Sequence, residues 1–197
     1  MKTEIEVKFL DVDFDELRAK LTVLGAAREQ PMRLMRRAII ESPQLVAKGG
    51  FIRIRDEGDK VTLTYKQFHE NSLTGAQEIE VTVSNFEDTI AIFDQVDLSH
   101  KALQESKRET WRLDDVEIAL DEWPWLNPYI EIEGYNEQHV KDAATRLGFD
   151  WENAVFGSVT EAYQQQYPSG DASQLVNIPE VRFDSPVPGI ISGRKAA

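Results

Sequence analysis

Carboxylate pairs separated by one residue recur along this sequence. They are Glu4 and Glu6, Glu78 and Glu80, and Glu131 and Glu133. Residues two apart on an extended strand point to the same side, so each pair directs two carboxylates into one volume. Oxygen ligands of this type suit hard divalent ions such as Mg²⁺ or Mn²⁺. The spacing therefore indicates metal chemistry, with the first and last pairs as the best ligand set.

Basic residues share this two-residue spacing. Lys8 follows Glu6, and Arg53 precedes Arg55. Arginine matches phosphate oxygens with two parallel hydrogen bonds, and lysine adds a mobile point charge. Because the sequence contains no Walker loop, phosphate binding would have to come from side chains.

The segments that carry these residues alternate charged and apolar side chains, as strands with one wet face do. They are residues 4–9, 51–55, 62–66, 78–81, 116–121 and 129–133. One such strand would equally suit the surface of a sandwich. A whole series with both signs of charge fits a closed or nearly closed antiparallel barrel. Its helices would cover the apolar outside, and the charged faces would line a wet lumen.

The order of these motifs resembles the CYTH domain, also called the triphosphate tunnel metalloenzymes. The motifs are Glu4-x-Glu6-x-Lys8, Arg53-x-Arg55, Lys66, Glu78-x-Glu80, Leu120-Asp121 and Glu131-x-Glu133. The resemblance covers roughly residues 1–165 and implies an α+β fold, a closed eight-stranded antiparallel β-barrel with helices packed on the outside. The family includes inorganic, thiamine and RNA triphosphatases and class IV adenylyl cyclases.

The resemblance also implies roles for individual residues. The metal ligands would be Glu4, Glu6, Glu78, Glu80, Asp121, Glu131 and Glu133. The triphosphate would contact Lys8, Arg53, Arg55, Lys66 and either Lys107 or Arg108. Catalysis would depend on Glu4, Glu6 and Lys8, with a carboxylate of the first pair orienting the attacking water.

Three regions depart from the family's pattern. Relatives usually carry a K-x-R arrangement where this chain has Ser106-Lys107-Arg108. Strand parity favours Arg108 as the inward residue, and a bulge would favour Lys107 instead. On the predicted strand 32–40, three arginines at positions 33, 36 and 37 replace an acidic and aromatic pair and remain unassigned, with solvated side chains favoured. Trp123 and Trp125 are predicted to serve as lid or packing residues, not as a platform for a base.

Composition and length limit the ligands, the covalent chemistry and the domain organisation of the protein. The formal net charge of −13 argues against general nucleic-acid binding, but it is compatible with a polyanionic substrate in a locally basic cavity. The absence of cysteine excludes disulfides and thiolate chemistry. The 197 residues suit a tunnel domain at 1–167 followed by a tail at 168–197, mobile or packed on the surface. No apolar run suits a membrane span or signal peptide, so we expect a cytoplasmic protein. We also expect it to be a monomer or a homodimer.

These observations favour a metal-dependent enzyme that hydrolyses the terminal phosphoanhydride of inorganic tripolyphosphate or a simple organic triphosphate. The first alternative is a class IV adenylyl cyclase, which would convert ATP to cyclic AMP and pyrophosphate in the same site. The second is a polyphosphate-binding module without turnover, since motifs alone do not prove activity.

Overall fold

The computed structural model describes residues 2–3, 5–67 and 77–193. The strands are β1 (Lys2–Thr3), β2 (Ile5–Leu10), β3 (Ala27–Ile40), β4 (Gly50–Asp56), β5 (Val61–Gln67), β6 (Gln77–Val83), β7 (His100–Leu113), β8 (Val116–Trp123), β9 (Leu126–Gly134) and β10 (Glu180–Val181). The helices are α1 (Phe14–Val23), α2 (Pro43–Val46), α3 (Phe86–Gln95), α4 (Glu137–Leu147), α5 (Val159–Gln166) and α6 (Gly189–Ser192). Two 3-10 helices span Trp151–Asn153 and Ala172–Asn177.

The strands form one sheet in the order β1-β6-β5-β4-β3-β7-β8-β9-β2, with β10 added beside β7. Neighbours along this path are antiparallel, and the pair of β10 with β7 is parallel. The path begins and ends with β1 and β2, which one residue of chain separates. In the described residues, no hydrogen-bonded pairing joins these two strands. The α+β fold with an antiparallel sheet is confirmed, but hydrogen bonding does not close the sheet into the expected barrel.

Helices α1 and α4 cover the apolar face of the sheet. Val7 and Ile132 on the sheet, Leu21 on α1 and Val140 on α4 have no exposed surface and belong to one core cluster. Each helix begins at a side chain that accepts backbone N–H groups, Asp13 for α1 and Asn136 for α4. Burial of this face stabilises the sheet and leaves the opposite, charged face directed inward.

Strand β3 is longer than the alternation of its residues suggests. The sequence predicts a strand from residue 32, whereas β3 begins at Ala27. Its pairing with β7 shifts register between Arg28 and Gln30 and again between Gln30 and Arg33. Such irregularities change which side chains share a face, so period-two reasoning cannot follow the strand through them.

The segment after Tyr167 packs against the sheet. Leu175, Val181 and Ile191 are buried in one cluster with Trp123 and Tyr129. Backbone pairing of β10 with β7 and a hydrogen bond of 2.6 Å from Trp125 Nε1 to the Ser185 carbonyl hold the segment in place. Among the described helices, none is long and apolar enough to cross a membrane.

Candidate functional site

The inward face of the sheet encloses a cavity of about 940 Å³. Charged side chains from strands β2 to β9 line it. Part of the cavity wall is formed by residues 158–160 at the start of α5 and by Ser173, Leu175 and Val176 of the second 3-10 helix, and we call this part the covered end. Val159 and Leu175 share a core cluster with Trp123, which also lines the cavity.

Three carboxylates meet in this cavity, Glu6, Glu131 and Glu133, and we call them the carboxylate triad. Each offers an oxygen that lies within 4.8 Å of the others. The register places Glu6 opposite Glu133 on the neighbouring strand, and Glu131 opposite Lys8. A set of three carboxylates suits a hard divalent cation such as Mg²⁺ or Mn²⁺. The donor set therefore fits the metal that the motifs indicate.

Lys8 lies between two members of the triad. Its Nζ is 2.8 Å from Glu6 Oε1 and 3.1 Å from Glu131 Oε2, and it donates to the Gly157 carbonyl at 2.6 Å. Burial would lower the pKa of Lys8, but the charges of Glu131 and Glu6 raise it above its ordinary value. Burial would likewise raise the pKa of Glu131, but Lys8 and Arg108 hold it well below its usual range. Lys8 and Glu131 therefore stay ionised together at neutral pH.

Arg108 faces the cavity and Lys107 does not. Arg108 Nε and Nη2 donate to the two oxygens of Asp121 at 2.8 and 2.6 Å, and Nη2 lies 2.9 Å from Glu131. Lys107 is absent from the cavity lining, pairs with Glu122 at 3.0 Å and lies 4.6 Å from the Phe183 ring centre. Of the two alternatives left by the sequence, only Arg108 reaches the site. Lys107, one of the two expected phosphate ligands at this position, therefore lies outside the cavity, because β7 keeps its period of two here.

The other basic residues that the sequence predicts to contact the triphosphate, Arg53, Arg55 and Lys66, lie on β4 and β5. Arg55 lies 2.7 Å from Glu57, Arg53 lies 3.5 Å from Glu80, and Lys66 pairs with Glu78. All three line the cavity, as do Glu78 and Glu80. The two β6 carboxylates thus lie beside cations and are not part of the triad. Glu4 lies outside the described residues.

Two arginines of β3 also line the cavity, although the sequence favours solvated side chains for them. Arg33 Nη2 pairs with the buried Glu57 at 3.0 Å, and Arg37 lies over the Trp123 ring at 4.1 Å. They share a face with Met35 and Ile39, so β3 does not show the clean separation of charged and apolar residues that marks other strands. Arg33 and Arg37 are an even number of residues apart, which places both side chains on one face of the strand. This spacing is the signal in the sequence that would have found them.

The family model described as the CYTH domain matches residues 2–155. The chain belongs to the CYTH domain family. No curated protein matches the sequence. Solved structures share the CYTH fold with it. A protein from Pyrococcus horikoshii is 24% identical, with a TM-score of 0.65 over 77% of this chain and 94% of that one.

Two further structures carry functional descriptions of their own. A candidate adenylate cyclase from Vibrio parahaemolyticus is 10% identical, with a TM-score of 0.72 over 82% of this chain and 97% of that one. A protein from Hippeastrum, described as revealing a dominant triphosphatase activity, is 15% identical, with a TM-score of 0.51 over 76% and 89%. At these identities the likeness concerns the CYTH fold.

Proposed function

We propose that this protein is a divalent-metal-dependent triphosphatase that hydrolyses the terminal phosphoanhydride of inorganic tripolyphosphate or a simple organic triphosphate. The observation that carries the proposal is the presence, in one cavity, of the carboxylate triad and a set of inward basic side chains. Those basic residues are Lys8, Arg53, Arg55, Lys66 and Arg108. Membership of the CYTH family supports the same class of substrate.

The chain's own residues divide the work between substrate binding and water activation. Arg53, Arg55 and Lys66 would hold successive phosphoryl groups, since β4 and β5 are neighbours and present these side chains to the same cavity. Glu6 would orient a water molecule for in-line attack on the terminal phosphoryl group. The basic residues then stabilise the charge that spreads over the phosphoryl oxygens in the transition state. A Mg²⁺ or Mn²⁺ ion held by the triad would supply Lewis-acid neutralisation of that charge.

The deciding experiment is a side-by-side assay of tripolyphosphate, ATP and thiamine triphosphate, with orthophosphate, pyrophosphate and cyclic AMP all measured. We expect orthophosphate from tripolyphosphate in Mg²⁺ or Mn²⁺ and none in EDTA. Full turnover after exhaustive metal removal would contradict the metal requirement. Cyclic AMP and pyrophosphate from ATP, with tripolyphosphate left intact, would replace the hydrolase with a cyclase. Tight binding without any product would identify a non-catalytic binding module.

A further inference from the structure

Arg37 differs from the other basic residues of the cavity in its partners. Lys8, Arg108, Arg55 and Lys66 each lie against a carboxylate, as described above. Arg37 has no carboxylate within 4.0 Å in the part of the chain that the structure describes, and its Nε donates to the neutral Gln104 Oε1 at 2.7 Å. Among the described residues, Arg37 is therefore an inward cation whose charge no carboxylate within 4.0 Å balances.

Neighbouring groups fix this guanidinium in place. Gln104, on β7, accepts a hydrogen bond from Nε of Arg37, and the Trp123 ring centre lies 4.1 Å from the guanidinium carbon. Burial and the positive charges of Arg53 and Arg55 lower the pKa of Arg37 to about 9. A cation that is rigidly held among other cations is costly without an anion, and an anionic ligand would remove that cost.

Arg53 adds a second unsatisfied group beside it. The register pairs Arg37 with Arg55 and Ile39 with Arg53, so Arg37 and Arg53 are diagonal neighbours on the same face of β3 and β4. Arg53 is 7% exposed, and its Nε is buried without a hydrogen-bond partner. Its nearest carboxylate, Glu80, is 3.5 Å away. Arg37 and Arg53 therefore place two positive charges side by side in the lining of the cavity.

The surroundings of Arg37 limit what could bind there. Trp123 belongs to the cluster that includes Val159 and Leu175, so Arg37 lies toward the covered end. The guanidinium lies over one face of the Trp123 indole, so that face is not open to a nucleobase. The geometry favours a small anion, and it offers little to an aromatic ring or a large organic group.

We propose that Arg37 and Arg53 form an anion subsite at the covered end, which takes the unsubstituted terminal phosphoryl group of a tripolyphosphate chain. The identity of the ligand rests on the proposed function, whereas the existence of the subsite rests on the side chains alone. A phosphoryl group here would balance the positive charges of Arg37 and Arg53, and the rest of the chain would extend toward Arg55 and Arg108.

The test compares Arg37→Gln with Arg36→Gln, its neighbour on β3. Arg36 is exposed and pairs with Asp56 at 2.6 Å and Glu87 at 3.2 Å, away from the cavity. Titration calorimetry with sodium tripolyphosphate should show Arg37→Gln weakening the affinity by roughly tenfold to 100-fold, typical for the loss of a charged hydrogen bond. Arg36→Gln should stay within about twofold of the wild type, as exposed pairs contribute little. Arg37→Lys should recover part of the affinity because it keeps the charge.

Thermal unfolding without ligand separates this role from a structural one. Removing an inward cation that no described carboxylate balances should leave the melting temperature of Arg37→Gln unchanged or raised, and a clear fall would show that Arg37 serves packing instead. Equal affinities of Arg37→Gln and wild type for tripolyphosphate would overturn the subsite. Weaker binding by Arg37→Gln in a protein that hydrolyses no triphosphate would support the subsite and reject the triphosphatase. Unaltered hydrolysis of tripolyphosphate by Arg37→Gln would support the triphosphatase and reject the subsite.

Discussion

Two of the triad carboxylates, Glu131 and Glu6, differ in the number of cations with which they pair. Glu131 pairs with two cations, the buried Lys8 and the partly buried Arg108, whereas Glu6 pairs with Lys8 alone and retains 17% of its side-chain surface. Because a buried cation that loses its partner is strongly destabilising, the two positions should respond differently to the loss of charge. If Glu6 and Glu131 served only as metal ligands, replacing either of them should lower activity to a similar extent.

We therefore expect Glu6→Gln to abolish phosphate release at a cost of about 1 kcal/mol in unfolding free energy, because glutamine still accepts a hydrogen bond from Lys8. Glu131→Gln should cost about 3 kcal/mol or more. Urea unfolding measures the stability change, and orthophosphate release measures turnover. A large loss of stability in Glu6→Gln would mean that Glu6 anchors the structure. Wild-type turnover in Glu6→Gln would remove it from the site.

At the scale of elements, strands were predictable where one face is apolar and the other charged. Residues 51–55 and 129–133 show this alternation and lie within β4 and β9. The sequence predicts β3 only from residue 32, because the register shifts between Arg28 and Arg33 interrupt the period of the residues before it. The packing of the last segment depends on contacts with distant strands, which no local pattern encodes.

That last segment gives an element-scale prediction. Val181 on β10 is fully buried beside β7, whereas Val187 in the same segment is 37% exposed. A buried, unpaired carboxylate costs several kcal/mol. Val181→Asp should therefore release the segment from the sheet and expose residues 168–193 to protease, while Val187→Asp should change stability by less than about 0.5 kcal/mol. Limited proteolysis with mass spectrometry measures both. Equal resistance of the two variants would show that β10 does not hold the segment.

At the scale of the whole molecule, the sequence predicts the family and the antiparallel α+β sheet but not how its edges meet. Alternation assigns the faces of each strand, whereas closure of the sheet depends on hydrogen bonds between its two edge strands. These edge strands are β1 and β2, which are consecutive in the chain.

Charge is also divided by location. The chain carries a net −13, and the cavity lining holds acidic as well as basic side chains. A polyanion must therefore approach a negative molecule to reach the cations inside the cavity.

This division predicts an unusual dependence of binding kinetics on salt. A domain of this length has a radius of gyration of about 16 Å. At about 0.01 M salt the Debye length of roughly 30 Å lets tripolyphosphate feel the whole negative charge, whereas at about 0.15 M it is roughly 8 Å. Added sodium chloride should therefore speed association, while the dissociation rate, set by contacts inside the cavity, changes less.

Stopped-flow fluorescence can follow association directly, because Trp123 lines the cavity. We expect the bimolecular rate constant of the metal-free protein with sodium tripolyphosphate to rise as sodium chloride increases over this range. Arg36→Gln, which removes an external positive charge, should associate slightly more slowly than the wild type at low salt and equally fast at high salt. A rate constant that falls as salt increases would instead show that the cavity's own positive potential steers the ligand.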